Sequence, residues 1–162
     1  MIKCRCFLLI FFLLAEGKVF SQLPAQTLPD FEFNRLDKSK FSNKDLPRGK
    51  MLFFVFFDSD CEHCQQAVKN IDQHADSFSR AAVYLVSADG TDKISHFINN
   101  FGQHLKSKKN VLVLQDNLNQ FIAKFKPRKY PSMFLYSKER QLAGYEDNQA
   151  SVFRFFKEIA GW

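Results

Sequence analysis

Seven consecutive apolar residues, Met51-Leu-Phe-Phe-Val-Phe-Phe57, are bounded by Gly49-Lys50 before them and Asp58-Ser-Asp60 after them. A strand with one face in water alternates polar and apolar residues. An unbroken apolar run of this length instead fits a strand covered on both faces. Such a strand needs a sheet with layers on either side, and the rest of the chain offers them. From Cys61 the pattern turns helical, with Val68, Ile71, Ala75 and Phe78 on one face, and Ser59-x-x-Glu62 matches a capping box with Ser59 or Asp60 as cap. Ala81–Val86 reads as a strand, Thr91-Asp92 opens a helix burying Ile94, Phe97, Ile98, Phe101 and Leu105, and Val111–Leu114 is a further strand. A helix burying Leu118, Phe121, Ile122 and Phe125 follows, then strands at Ser132–Tyr136 and Gln141–Tyr145 and a last helix burying Val152, Phe153, Phe156 and Ile159. Ahead of all these, residues 22–50 are rich in breakers, with one short edge strand at Phe31–Asn34. The alternation predicts an α/β domain with a central mixed β-sheet flanked by helices. The 20 phenylalanines fall mostly on inward faces, so they read as core.

Cys61-Glu62-His63-Cys64 stands where the buried strand gives way to a helix. The helix N-terminus points free N–H groups and a positive dipole end at the first sulfur, which favours the thiolate, the form that attacks disulfides. Cys61 is the candidate nucleophile and Cys64 the resolving thiol. A structural staple is a weaker reading, because closing so short a loop removes little unfolded-state entropy. Zinc would want a second ligand pair, and His63, His74, His96 and His104 show no metal spacing. Asp60, immediately before Cys61, opposes thiolate formation by its charge. His63 either favours the thiolate through a charged or hydrogen-bonding imidazole or simply faces solvent.

The N-terminus carries Lys3 and Arg5, then Phe7–Ala15, all apolar, then Val19-Phe20-Ser21 with small side chains at the cleavage positions. This is the grammar of a secretory signal over residues 1–21, leaving a mature domain of residues 22–162. The apolar stretch is far shorter than the roughly 20 residues that span a bilayer, which sets the alternative of a membrane anchor aside. Cleavage removes Cys4 and Cys6, so Cys61 and Cys64 are the two cysteines of the mature chain, in an oxidising compartment. The net charge falls from +6 to +4, with 20 basic against 16 acidic groups. The basic residues are scattered without a nucleic-acid motif, so no nucleic-acid partner is expected. Lys124, Lys126, Arg128 and Lys129 either steer acidic partners or form a solvated loop.

The chain resembles the thioredoxin superfamily, in particular its secreted redoxin branch of TlpA-like and ResA-like thiol-disulfide oxidoreductases. The likeness covers about residues 28–160 and rests on Leu28-Pro-Asp-Phe31, on the strand-Cys61-Glu-His-Cys64-helix unit, and on Tyr130-Pro131-Ser132. It implies a thioredoxin-like fold and a cis Pro131 facing the active-site sulfurs, with Tyr130 offering backbone groups to an extended substrate. It also implies a periplasmic location, a monomer, no cofactor beyond the Cys61–Cys64 disulfide, and two kinds of partner: protein thiols or disulfides, and an upstream redox protein. His63 resembles the CxHC arrangement of periplasmic disulfide oxidases and isomerases. The chain departs from the family pattern at Asp60, where an aromatic residue is usual, and at Val55 and Ala67, where relatives carry the acids that deprotonate the resolving thiol. Proton transfer is left to water, Glu62, His63 or another group.

Two rival functions remain open. A peroxiredoxin-like peroxidase shares the leader and element order, but the threonine that such enzymes place three residues before the reactive cysteine is here Asp58, whose charge repels a developing anion. A binding or metal-delivery module on the same scaffold is the other, although copper-delivery relatives have three residues between their cysteines and this chain has two.

Overall fold

The computed structural model describes residues 23–161. The signal expected at 1–21 lies outside the described residues. Seven strands form one mixed sheet: β1 (Glu32–Arg35), β2 (Lys40–Ser42), β3 (Met51–Phe56), β4 (Ala81–Ser87), β5 (Val111–Gln115), β6 (Ser132–Tyr136) and β7 (Leu142–Glu146). Their order is β2-β1-β5-β4-β3-β6-β7. β3, β4 and β5 run parallel, and β6, β7, β1 and β2 attach to them antiparallel. Four helices accompany the sheet: α1 (Glu62–Gln73), α2 (Thr91–Phe101), α3 (Gln120–Phe125) and α4 (Val152–Ala160). Among the described residues no helix is long and apolar enough to cross a membrane.

All six residues of β3 are buried, as the apolar run requires. Because successive side chains of a strand point to opposite faces, β3 feeds two cores. Phe53 and Val55 join Val68 and Ile71 of α1, Ile94 and Phe97 of α2, and Val152, Phe155 and Ile159 of α4. Leu52, Phe54 and Phe56 face the other way, onto Phe121 and Phe125 of α3 and onto Phe31, Phe33 and Phe41 of the leader. In that second core Phe121 lies between Phe56 and Phe125, with ring centroids 4.3 and 4.0 Å away. Burying one such ring stabilises the fold by roughly 1.5–3 kcal/mol.

Several sequence expectations are corrected. β1 is not an edge strand: β2, too short to be read from the sequence, pairs outside it. α3 has room for one inward pair, Phe121 and Phe125 at i and i+4, so Leu118 and Ile122 stay 61% and 49% exposed. The stripe of α4 is Val152, Phe155 and Ile159. Phe153 is rotated off that stripe and 45% exposed, while Phe156 is half-buried against His74 and Phe78. Ala75, Phe78 and Leu105 are buried as expected, but in short 3₁₀ turns after α1 and α2.

Candidate active site

The site is assembled where β3 leaves the sheet. The Phe57 N–H still donates to the Val86 carbonyl of β4 (3.0 Å), and the chain then turns through Asp58-Ser59-Asp60. The Asp60 N–H closes that turn on the Asp58 carboxylate (2.8 Å), a local bond that aspartate makes readily two residues on. The Ser59 N–H donates to Asp89 (2.8 Å), whose carboxylate also accepts the Ser87 hydroxyl (3.0 Å), so the turn is pinned to the end of β4. Burial opposes the charge on Asp89, but the donors from Ser59 and Ser87 outweigh it and hold the carboxyl below its ordinary value.

Cys61 itself is the N-cap of α1. Its carbonyl accepts the N–H groups of Cys64 (3.0 Å) and Gln65 (3.1 Å), and no side chain caps the helix. The expected capping box is therefore absent: Ser59 and Glu62 do not form it, because the helix begins one to two residues later than the box needs. The N–H groups of the first turn are thus without a side-chain cap, and the positive end of the helix dipole lies beside Cys61.

The two thiols differ sharply. Cys61 is half-buried, Cys64 is fully buried, and both are free. Burial drives the Cys64 thiol far above its ordinary range; the Asp58 N–H at its sulfur opposes this, and the neighbouring Cys61 and the Asp58 carboxylate push it further up. Val55 and Ala67, where relatives place acids, are buried apolar residues here. Asp58 is consequently the carboxylate whose charge acts on Cys64.

The other predicted site residues separate into two groups. Asp60 is turned toward α2, where it pairs with Lys93 (2.8 Å), so its charge beside Cys61 is partly neutralised. Glu62 and His63 are exposed, and their side chains make no hydrogen bond or ion pair among the described residues. The Tyr130–Pro131 bond is cis, as the resemblance implied. Tyr130 packs against Phe56 with the rings tilted (centroids 4.8 Å apart) and is half-buried; burial first, then the charges of Asp58 and Asp89 and the nearby Cys64, raise its hydroxyl above the ordinary value. The basic loop before Pro131 has structural work. Arg128 and Lys129 pair with Asp147 (2.8 and 3.7 Å), and Arg128 lies over the Tyr145 ring. The Tyr145 hydroxyl accepts the Arg128 N–H (3.0 Å) and bonds the Ser132 hydroxyl (2.9 Å), bracing the loop on both sides of Pro131.

Sequence reasoning overlooked Asp58 as a neighbour of Cys64, and it overlooked Lys93, Asp89 and Tyr145 altogether. The Asp58-Ser-Asp60 turn was a legible signal, since its local bond folds the chain back beside the cysteines. The others act across 30 residues or, for Tyr145, from another hairpin, which no local pattern reports. Among the described residues no group of three or more histidine, cysteine, aspartate or glutamate side chains is placed to hold a metal.

Comparison with known proteins agrees with this architecture. Nothing among curated protein sequences matches the chain. Among solved structures it is similar to dsbF of MTB (TM-score 0.68, 20% identity, covering 86% of this chain and 98% of that one). It is also similar to a secreted Mycobacterium tuberculosis disulfide oxidoreductase homologous to E. coli DsbE (TM-score 0.66, 16% identity, 82% and 96%). A third likeness is to the peroxidoxin BcpB of Mycobacterium tuberculosis (TM-score 0.67, 14% identity, 85% and 96%). These likenesses make the fold thioredoxin-like. The AhpC/TSA family matches residues 24–144, a span that runs from the leader through the cysteine turn to the C-terminal hairpin. The chain therefore belongs to the AhpC/TSA family.

Proposed function

We propose that this chain is an exported thiol-disulfide oxidoreductase acting in the periplasm as a monomer on protein thiols and disulfides. The observation that carries the reading is the asymmetry of the pair: a half-exposed Cys61 at an uncapped helix N-terminus, and a fully buried Cys64 one turn deeper. An outer sulfur meets the partner, and an inner one waits for the mixed disulfide.

In the reducing direction the Cys61 thiolate attacks one sulfur of a partner disulfide. The Cys61–partner bond forms as the partner's S–S bond breaks, and the departing thiolate takes up a proton. Cys64 then gives up its proton and attacks the Cys61 sulfur, so that the Cys61–Cys64 bond forms and the second partner thiolate leaves and is protonated. Two electrons pass from the dithiol to the partner; the reverse sequence oxidises a dithiol. An upstream redox protein resets the pair, and no cofactor beyond the disulfide takes part. Asp58 serves as proton acceptor for Cys64, a role that falls to it because Val55 and Ala67 cannot perform it. Tyr130 and the cis Pro131 border the substrate groove, and Asp60, Glu62 and His63 tune the couple from outside.

A second reading, a peroxidase, is favoured by the AhpC/TSA match and by the likeness to a peroxidoxin. Asp58 speaks against it, since its charge near the cysteines repels the alkoxide or hydroxide that leaves a peroxide. One experiment separates these readings. The exported protein, whose intact mass should begin at Gln22, is prepared as Cys64→Ser and as Cys61→Ser and exposed to periplasmic proteins. Cys64→Ser should accumulate mixed disulfides through Cys61 and Cys61→Ser should not. Equal trapping by both, or rapid peroxide consumption without trapping, would overturn the assignment.

A further inference from the structure

On one flank of Cys61 the surface opens into a cavity of about 550 Å³ between the first turns of α1 and the length of α2. Its size is that of clefts that hold ligands. The wall nearest the cysteine is Ser59, two residues before Cys61, and Gln65, one helical turn after it. The floor is aromatic. Phe97, backed by Phe57 (4.6 Å), lies beside the half-buried Phe101 (5.2 Å). The rim carries Asp60, Asp92, Lys93 and His96. His96 is engaged with Asn100 (2.9 Å) and Lys93 with Asp60 (2.8 Å), while the exposed Asp92 has no partner among the described residues.

Charge around this flank runs against that of the molecule. The chain as a whole is +6, yet Asp58, Asp60, Glu62, Asp89 and Asp92 gather around the cysteine turn, and the cation among the cavity's lining residues, Lys93, is already held, first by Asp60 and then by Asp89 and Asp58. The sheet places the cavity relative to the groove at Pro131. β3, which leads into Cys61, lies between β4 and β6; β4 leads into α2 and the cavity, and β6 begins immediately after Pro131. A polypeptide crossing Cys61 from Tyr130 therefore arrives at the cavity on the far side.

We infer that this cavity is a side-chain subsite for the polypeptide whose disulfide Cys61 attacks, and that it selects a bulky apolar residue close to the substrate cysteine with a lysine or arginine beside it. The apolar side chain covers Phe97 and Phe101, and the cation is drawn to Asp92 and the neighbouring acids. The basic loop at Lys124–Lys129, which would have favoured acidic partners, is partly neutralised by Asp147 and does not oppose this choice. The inference rests on the oxidoreductase reading and assigns its substrate class.

The test uses the reduced full chain and four short peptides, each carrying one cysteine in a disulfide with a chromophoric aryl thiol. Two residues after the cysteine they carry Phe-Lys, Phe-Glu, Ser-Lys or Ser-Glu. The second-order rate constant for release of the aryl thiol should be at least about tenfold greater for Phe-Lys than for Ser-Glu, with the other two between, the size of effect one apolar pocket contact supplies. Phe101→Ala should abolish the Phe over Ser ratio, Phe101→Leu should retain most of it, and Asp92→Lys should abolish the Lys over Glu ratio. Equal rates for the four peptides, or ratios in Phe101→Ala and Asp92→Lys that match the wild type, would overturn the subsite. Failure to react with all four and with glutathione disulfide as well would overturn the oxidoreductase reading on which it stands.

Discussion

Replacing Asp58 by asparagine sets two effects of one carboxylate against each other, and they differ in sign. As a charge, Asp58 holds the Cys64 thiol up. Removing it would ease ionisation of the thiol, and by itself speed the resolving attack only modestly, because a thiolate of lower pKa is also a weaker nucleophile. As the proposed proton acceptor, Asp58 would let the fully buried thiol give up its proton, since the buried Val55 and Ala67 carry no acid to do so. Positioned general bases contribute about 10²–10⁴-fold, which outweighs the lost repulsion and leaves a net slowing of at least about tenfold. The assay is mixing of reduced protein with an aromatic disulfide. The first aryl thiolate is released when Cys61 attacks, in a phase that scales with reagent concentration, and the second when Cys64 attacks, in a phase that does not. Asp58→Asn should slow the second phase near pH 7 and leave it steeply pH-dependent. The two proteins should converge as hydroxide takes over the deprotonation at high pH. A second phase that is unchanged or faster in Asp58→Asn would refute the proton-acceptor role and leave Asp58 as a charge that merely holds Cys64 protonated.

The remaining predictions concern tuning and stability. His63 is exposed and its side chain makes no bond among the described residues, so His63→Ala should make the reduction potential more negative by no more than about 20 mV, the scale of a solvent-screened charge. A shift of 60 mV in glutathione equilibration would show that the imidazole engages Cys61 directly. Phe121→Ala removes a fully buried ring stacked between Phe56 and Phe125 and should cost about 3–5 kcal/mol in urea unfolding. A loss below about 1 kcal/mol would mean that the second core repacks freely.

How far the sequence reached depended on whether a feature is local. The apolar run Met51–Phe57 announced a doubly covered strand, and the burial of every β3 residue, alternating between two cores, bears that out. The placement of Cys61 and Cys64 one helical turn apart at the start of α1 was equally local. Where one residue decides a face, the reading slipped. Phe153 and Phe155 are both phenylalanine, and only the helix axis of α4 shows which is buried. β2 escaped because three residues, Lys40-Phe-Ser42, carry no periodicity; its pairing is set by the turn at Asp37–Ser39, where Asp37 accepts the Ser39 N–H (2.9 Å). At the site, the charge of Asp60 was legible and its neutralisation by Lys93 was not, because the partner comes from the next helix.

The central claim is that Cys61 and Cys64 form one two-electron couple. Equilibration of the protein in glutathione buffers of graded potential, followed by acid quench, alkylation and intact-mass analysis, tests it directly. The account predicts that both thiols disappear together along a single two-electron curve, with a midpoint in the range of dithiol oxidoreductases, about −270 to −120 mV, and that no half-oxidised species persists in the wild type. Persistent oxidation of Cys61 alone, or a pair that remains dithiol across the whole range, would contradict it.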